Sequence, residues 1–278
     1  MMSPAGSTVY VRMFGSLCIE LGDVVLGPRD LGGVKPKQLF EILLLARGTH
    51  VSKERLGDLL WGEKLPRNVA GTLETYVSVL RSRLGSSAGN GTGRHVILTQ
   101  YGGYRIAPEA IRLDLDEFDR LMDKAERGDA DVGELEHALT LMRGEVLDDE
   151  PYAEWAERDR DHYRDRHSEV IRLLAGRLIA TAEHERAAAL ASRAVSIDPT
   201  DEMATRLLMV ANYGMGRQRA VLRAYSACRD LLVAELGVEP LDETTDVLEA
   251  IKRHEPILGL LGYAGVAHGS DVAMSSAS

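Results

Sequence analysis

Cysteine is scarce in this 278-residue chain, which holds only Cys18 and Cys228, far apart in the sequence. Two such residues provide neither a disulfide framework nor a cysteine-based zinc site, and they favour a reducing compartment. The sequence also lacks an apolar run of about 18 residues and an N-terminal basic stretch followed by an apolar one. These features predict a cytoplasmic protein that is neither secreted nor embedded in a membrane.

Motifs for catalysis and metal binding are missing as well. The sequence has no Gly-x-Ser-x-Gly and no His-Glu-x-x-His, and its glycine-rich stretch 85–94 lacks the Gly-Lys-Ser/Thr of a phosphate-binding loop. His162 and His167 are five residues apart, whereas a helical zinc site needs four. The carboxylates at 148–150 precede a proline and predict a loop cap or a partner contact rather than acid–base catalysis. We therefore expect no enzyme activity, no cofactor and no metal.

The formal net charge is −10, but the charges are distributed unevenly along the chain. Residues 1–107 contain 13 Lys and Arg and 8 Asp and Glu, a net of +5, whereas residues 108–278 have a net of −15. The basic first part can approach phosphate groups, and the acidic remainder is repelled by them. We expect the two parts to have different partners.

The first 107 residues predict a strand region, three helices and a hairpin. Asn68 is the expected N-cap of the third helix, and Leu73, Val77, Leu80 and Leu84 form its apolar stripe. The predicted elements are a small antiparallel sheet over Thr8–Gly27, helices over Pro36–Arg47, Ser52–Trp61 and Asn68–Leu84, a loop at 85–94, and a hairpin over 95–107 with a Gly102-Gly103 tip.

This order of elements is typical of a winged helix that reads DNA. The outer face of the third helix has small polar side chains that can contact base edges in a major groove, and its flanking arginines can reach phosphates. The alternative is that the third helix is an ordinary surface helix of an α+β domain and does not contact DNA. The predicted groove contacts are Asn68, Thr72, Thr75, Ser78, Val79, Arg81, Ser82 and Arg83, and the predicted wing contacts near the minor groove are Gly102, Gly103, Tyr104 and Arg105. Tyr76 and Tyr101 are predicted to be packing residues.

From Leu113 onward the pattern is helical. Acidic-residue–proline turns at Asp198-Pro199 and Glu239-Pro240 each precede a helix that opens with Asp-Glu, a weak repeat similar to tetratricopeptide units. The fold class predicted is mainly α with a small β component. Its parts are an N-terminal winged helix-turn-helix domain at 8–107, a C-terminal all-α, tetratricopeptide-like domain at 113–258 and a disordered tail at 259–278.

Several stretches resemble known families. LGDLLWG, TLETYVSVLRSRLG and TQYGGYRI resemble the OmpR-type winged helix, and LDLDEFDRL, LTLMRGEVLDD, Trp155 and LVAELGVEPLDET resemble the bacterial transcriptional activation domain. Together, over about residues 8–255, the chain is similar to the small form of the SARP family, the Streptomyces antibiotic regulatory proteins. One departure is Val79, where many relatives have arginine.

The resemblance implies a transcriptional activator of an antibiotic or other secondary-metabolite gene cluster. Such regulators bind direct repeats in double-stranded promoter DNA near the −35 region, as a dimer on DNA, and recruit RNA polymerase with its sigma factor. The residues that correspond to the polymerase-facing loop are Glu63, Lys64, Leu65 and Arg67. The alternative is a tetratricopeptide-like interaction scaffold, or a repressor, whose winged helix binds a protein or DNA partner.

Overall fold

The computed structural model describes residues 9–88 and 92–263. They form two compact units: the first runs to Asp119 and adds Leu141–Arg164, and the second holds Arg120–Thr140 and the residues from Asp165 onward. The first unit thus includes residues 141–164, which the sequence analysis assigned to the domain at 113–258. The domain limits predicted from the sequence motifs therefore differ from this division by contacts, and they stay a prediction.

A four-stranded sheet opens the first unit. Strands β1 (Val9–Arg12), β2 (Cys18–Leu21) and β3 (Val24–Leu26) are antiparallel, as predicted, and a further strand, Ile111–Leu113, pairs in parallel with β1. The sheet order places that further strand at the edge next to β1. A three-residue strand is too short to show a period of two, so sequence patterning missed it.

Four helices follow: α1 (Val34–Leu45), α2 (Lys53–Trp61), α3 (Val69–Ala88) and the short α4 (Thr92–Val96). The predicted caps are confirmed, because Ser52 Oγ accepts from the Arg55 N–H at 3.1 Å and Asn68 Oδ1 accepts from the Gly71 N–H at 3.0 Å. The predicted loop at 85–94 is wrong where α3 and α4 occupy it, and its residues 89–91 lie outside the described part. Context overrides the weak helix propensity of glycine and serine there.

A three-stranded sheet forms the wing. Its strands are β4 (Val51–Ser52), β5 (Ile97–Gln100) and β6 (Gly103–Ile106), in the order β4-β6-β5, so the predicted hairpin is confirmed. Strand β4 pairs with Gly103 and Tyr104 of β6 and was not predicted, since two residues give no pattern. In chain order the parallel edge strand Ile111–Leu113 is β7.

The remaining helices lie in the part of the chain whose sequence pattern is helical. They are α5 (Asp114–Glu126), α6 (Val132–Leu141), α7 (Glu154–Ala180), α8 (His184–Ile197), α9 (Glu202–Gly214), α10 (Gln218–Leu231) with a π-helical turn at Leu232–Leu236, α11 (Asp242–Lys252) and α12 (Ile257–Tyr263). Helix α12 corrects the predicted tail, because its Leu260 and Leu261 are fully buried. The rest of that tail, 264–278, lies outside the described residues.

The second unit packs around α9, which contacts α8, α10 and α11. Buried alanines such as Ala187, Ala191 and Ala204 allow the helices to approach closely. The winged-helix and helical composition confirms the predicted fold class, mainly α with a small β component. Within residues 9–88 and 92–263, no helix has the length and apolar character needed to cross a membrane.

Candidate nucleic-acid interface

Helix α3 separates a buried stripe from an exposed polar face. The four predicted core residues are at most 1% exposed: Leu73, Val77, Leu80 and Leu84. The side chains of Thr75, Ser78 and Ser82 are exposed, in agreement with the predicted orientation of the helix, and that of Arg83 is exposed as well. Tyr76, predicted to pack, lies against Trp61, with the two ring centres 6.1 Å apart and the rings tilted by 35°. The helix therefore presents a row of short side chains that a groove can accommodate.

The threonine hydroxyls on α3 already donate to the backbone. Thr72 Oγ1 donates to the Asn68 carbonyl at 2.8 Å, and Thr75 Oγ1 donates to the Gly71 carbonyl at 2.9 Å. A hydroxyl has one proton and two lone pairs, so each threonine retains acceptor capacity and a methyl group. Thr75 is thus equipped to accept from a base amino group or to contact a thymine methyl.

Val79 is only half-buried and packs on the turn that precedes α1. Gly32 in that turn has φ +86°, and a Cβ added to it would lie 2.3 Å from Val79 Cγ1. Both the backbone conformation and the close approach therefore require glycine at position 32. Much of the Val79 side chain is committed to this contact.

Arg81 joins α3 to the wing. Its guanidinium donates to the Ile97 carbonyl from Nε at 3.1 Å and from Nη2 at 2.7 Å, and Nη2 also donates to Thr99 Oγ1 at 2.9 Å. Burial lowers the pKa of Arg81, with a smaller contribution from Arg94, although arginine stays charged. This side chain was predicted to reach DNA, whereas in the structure its donors hold the helix and strand β5 together.

Two of the predicted wing contacts serve the fold instead. The Tyr104 side chain is 2% exposed, and Lys53 Nζ lies 5.8 Å from the centre of its ring. A Cβ on Gly103 would come within 2.1 Å of the Val51 carbonyl oxygen, so this glycine permits the pairing of β4 with β6. The prediction of groove contacts at Gly103 and Tyr104 is corrected accordingly, because both residues face their own sheet.

The tip of the wing, at Tyr101 and Gly102, differs from the prediction. Tyr101, predicted to pack, is 85% exposed and has φ 46°, followed by Gly102 with φ 75°. Turn tips between paired strands face solvent, so the position of Tyr101 at the hairpin tip could have predicted its exposure. Arg105 is on β6, where its Nε donates to Gln100 Oε1 at 3.0 Å across the hairpin.

The loop between α2 and α3 is open to solvent. Glu63, Lys64, Leu65 and Arg67 are all exposed, including 51% of the apolar Leu65. An exposed leucine flanked by charges of both signs suits a protein partner better than a nucleic acid. The structure therefore leaves all four predicted polymerase-contact residues accessible.

The carboxylates at 148–150 anchor the first unit internally. Lys37, 5% exposed, pairs with Asp149 and with Glu150, whose Oε1 lies 2.6 Å from Nζ. Asp148 accepts from Ser16 Oγ at 2.7 Å. Buried Glu41 lies 3.4 Å from Lys37, and desolvation raises its pKa to about 8 against the opposing charge of that lysine. These groups are held by structural partners.

Comparison with known proteins decides the family. Residues 113–252 match the bacterial transcriptional activator domain, and this match covers half of the chain. The chain belongs to the SARP family of transcriptional regulators. This SARP protein therefore combines a winged-helix fold with a match to the activator domain.

Relatives of this SARP protein are regulators by name. It is 29% identical over 231 residues to the regulatory protein DnrI of Streptomyces peucetius, covering 80% of this chain and 85% of DnrI. It is 32% identical over 235 residues to the regulatory protein AfsR of Streptomyces griseus, covering 80% of this chain but 22% of AfsR. EmbR of Mycobacterium tuberculosis, solved with a low-affinity phosphopeptide, has the same fold, with a TM-score of 0.79 at 23% identity over 92% of this chain and 69% of EmbR.

Proposed function

We propose that this protein is a sequence-specific DNA-binding activator that controls a secondary-metabolite, antibiotic-type gene cluster. The observation that carries the proposal is the exposed row of short polar side chains on α3 beside the exposed wing tip. Family membership supplies transcriptional regulation, and the positive charge of the first 107 residues suits a phosphate backbone. The direct repeats near the −35 region and the controlled cluster rest on the family resemblance.

Base reading is assigned to the part of α3 with accessible polar groups. Thr75, Ser78 and Ser82 are the proposed base contacts, because their side chains are exposed and short enough to lie in a major groove. Asn68 and Thr72, at the start of the helix, approach the edge of the groove, and Val79 contributes what its packing on Gly32 leaves exposed. Arg83 is the proposed phosphate contact of the helix.

The wing is assigned to the minor groove through its tip. Tyr101, Gly102 and Arg105 are the proposed contacts, since Tyr101 projects into solvent and Gly102 has open space around it. Arg81 sets the distance between α3 and β5 through its bonds to Ile97 and Thr99. The wing and the helix then meet DNA as one rigid element.

Recruitment of RNA polymerase holoenzyme is assigned to the loop with Glu63, Lys64, Leu65 and Arg67. The loop is exposed and contains both charges and an apolar side chain. Two protomers on direct repeats one helical turn apart would lie on the same face of DNA, so we propose a dimer formed on the promoter. Each protomer would present its loop to the polymerase in the same direction.

A protein-interaction scaffold is the second candidate. The observation that favours it is the exposed apolar group in the second unit at Leu222, Val233, Leu236, Val238 and Leu241. Exposed apolar side chains that form one contiguous patch are typical of surfaces that bind other proteins. Such a scaffold would retain a protein partner irrespective of promoter DNA.

The proposed function can be tested by measuring, with fluorescence anisotropy, how the protein binds promoter DNA of the neighbouring genes at several salt concentrations. We expect tighter binding to this DNA than to a shuffled duplex, with log affinity falling by about 0.9 per log salt for each phosphate neutralised. Equal, weak binding to both duplexes at low salt would contradict sequence-specific reading and favour the scaffold.

A further inference from the structure

The second unit contains a cavity that the DNA-binding proposal does not use. It has a volume of about 530 Å³, within the range of small-molecule sites, and lies at the start of α9. Its wall is polar and carries charges of both signs. The side chains that matter for its chemistry are Asp165, Arg172, Asp198, Asp201, Glu202 and Arg206.

Arg206 is a buried cation in this wall without a buried anion beside it. The residue is 7% exposed; its Nη1 donates to Thr244 Oγ1 at 3.0 Å, and its Nη2 donates weakly to the Met203 sulfur at 3.7 Å. Its Nε has no hydrogen-bond partner, and within residues 9–88 and 92–263 no carboxylate lies within 4.0 Å of the guanidinium. A buried charge without a counter-ion is costly, so the site is incomplete without an anion.

Three carboxylates near Arg206 already have local partners. Asp198 accepts from the Thr200 N–H at 2.9 Å, and Glu202 accepts from the Leu241 N–H at 2.9 Å. Asp201 caps α9 by accepting from the Ala204 N–H at 3.0 Å, and it lies 3.5 Å from Arg172. These groups are engaged in holding the turn and the helix start.

Asp165 differs from those three carboxylates. It is exposed at the rim on α7, and the described part of the chain shows no hydrogen bond or ion pair to it. Among the described residues, the cavity wall therefore holds a buried cation without an ion-pair partner, Arg206, and a carboxylate with neither a hydrogen bond nor an ion pair, Asp165. A ligand with charges of both signs matches this wall, whereas a simple anion would be repelled by the acidic rim.

We propose that this cavity binds a small zwitterion, a compound with an oxyanion for Arg206 and an amine for Asp165. The guanidinium offers its unpaired Nε–H and a weakly used Nη2–H to a carboxylate or a phosphate, and the N-terminus of the 13-residue α9 adds partial positive charge. The site belongs to the second unit alone and does not depend on DNA binding.

Nuclear magnetic resonance of the ¹⁵N-labelled full chain tests this proposal through the Nε–H signal of Arg206. The zwitterionic probes are 6-aminohexanoate, with a carboxylate, and O-phosphoethanolamine, with a phosphate; acetate and ethylamine are the single-charge controls. We expect saturable shifts of this signal with at least one zwitterion, at concentrations about tenfold below those needed for acetate or ethylamine. The preferred zwitterion distinguishes a carboxylate from a phosphate ligand.

Variants separate the two halves of the site. Arg206→Met should weaken zwitterion binding at least about tenfold, and Arg223→Met, which removes an exposed arginine of α10, should not. Asp165→Asn should bring zwitterion binding down to the level of acetate, with Asp230→Asn as its control. Asp165 is exposed, so this variant tests the site even where Arg206→Met fails to fold. Absence of any saturable shift, or equal binding of acetate and zwitterions, would overturn the proposal.

Discussion

Arg81 donates two hydrogen bonds to one acceptor, the carbonyl oxygen of Ile97, from Nε at 3.1 Å and from Nη2 at 2.7 Å. This contact joins helix α3 to strand β5 of the wing. Arg81 therefore links the helix and the wing, which together form the proposed recognition element. Replacing a residue that only holds the geometry between helix and wing should leave the salt dependence of DNA affinity unchanged, whereas replacing a residue that contacts phosphate should reduce it.

Replacement of Arg81 by alanine is expected to weaken binding to all DNA sequences and to destabilise the first unit by about 1–3 kcal/mol, since the charged hydrogen bonds to the wing are lost. The slope of log affinity against log salt should stay the same, because no phosphate contact is removed. Titrations at four salt concentrations measure this slope. Arg83→Ala is the matched comparison, and its slope should decrease by about 0.9. A decrease of that size for Arg81→Ala would assign Arg81 to phosphate.

Replacement of Thr75 by alanine is expected to reduce the preference for promoter DNA over shuffled DNA by about 1–3 kcal/mol, because an acceptor and a methyl group at the groove are lost. Thr75→Ser, which retains the hydroxyl, tests the methyl separately. Thr181→Ala is the control, since Thr181 Oγ1 also bonds the carbonyl four residues earlier, at 3.2 Å, but in the second unit. An unchanged preference in Thr75→Ala would remove Thr75 from base reading.

Replacement of Tyr101 by alanine is expected to lower DNA affinity severalfold without altering the free energy of unfolding, since the ring is 85% exposed and contributes little packing. Anisotropy and thermal unfolding of the same sample measure the two effects. Tyr152→Ala removes another exposed ring, 96% accessible, and should leave DNA affinity unchanged. A loss of stability in Tyr101→Ala, with intact affinity, would return Tyr101 to a packing role.

Substitution of Lys64 or Arg67 by alanine is expected to reduce promoter-dependent transcription in a purified system while leaving the dissociation constant for promoter DNA unchanged. Both side chains are exposed in the loop before α3, so the fold should tolerate their loss. Transcript yield and anisotropy, measured in parallel, separate the two activities. Equal losses in both assays would show that the loop contacts DNA.

Glu41 gives a pH-dependent prediction. Desolvation raises its folded-state pKa to about 8, above the ordinary value near 4.5, so the folded protein holds this proton more tightly than the unfolded chain. Its contribution to stability is complete below about pH 4.5 and is lost as the pH rises to about 8. Glu41→Gln should therefore be more stable than the parent at pH 8.5, and the difference should shrink towards pH 5.

Denaturant unfolding of the parent and of Glu41→Gln at both pH values measures this difference. Exposed Glu54→Gln is the control and should show no such dependence. A Glu41→Gln protein that is less stable than the parent at pH 8.5 would mean that the Lys37–Glu41 pair, at 3.4 Å, outweighs the cost of burying the carboxylate.

Periodicity and capping signals predicted the helices well, since the four-residue stripe of α3 and the Ser52 and Asn68 caps depend on local sequence. Strands β4 and β7 escaped prediction because they are two and three residues long and exist through pairing with distant strands. Only part of the candidate site could be predicted from the sequence. Exposure of Thr75 and Ser78 follows from helix geometry, whereas the bonds of Arg81 and the burial of Tyr104 depend on how the wing folds back.

Footprinting of the promoters of neighbouring genes, with the parent chain and Thr75→Ala side by side, tests the central claim most directly. We predict protection of direct repeats about one helical turn apart near a −35 region, lost in Thr75→Ala but retained in Thr181→Ala. Uniform coverage of the DNA, or protection that Thr75→Ala leaves intact, would contradict the assignment of α3 as the sequence-reading helix.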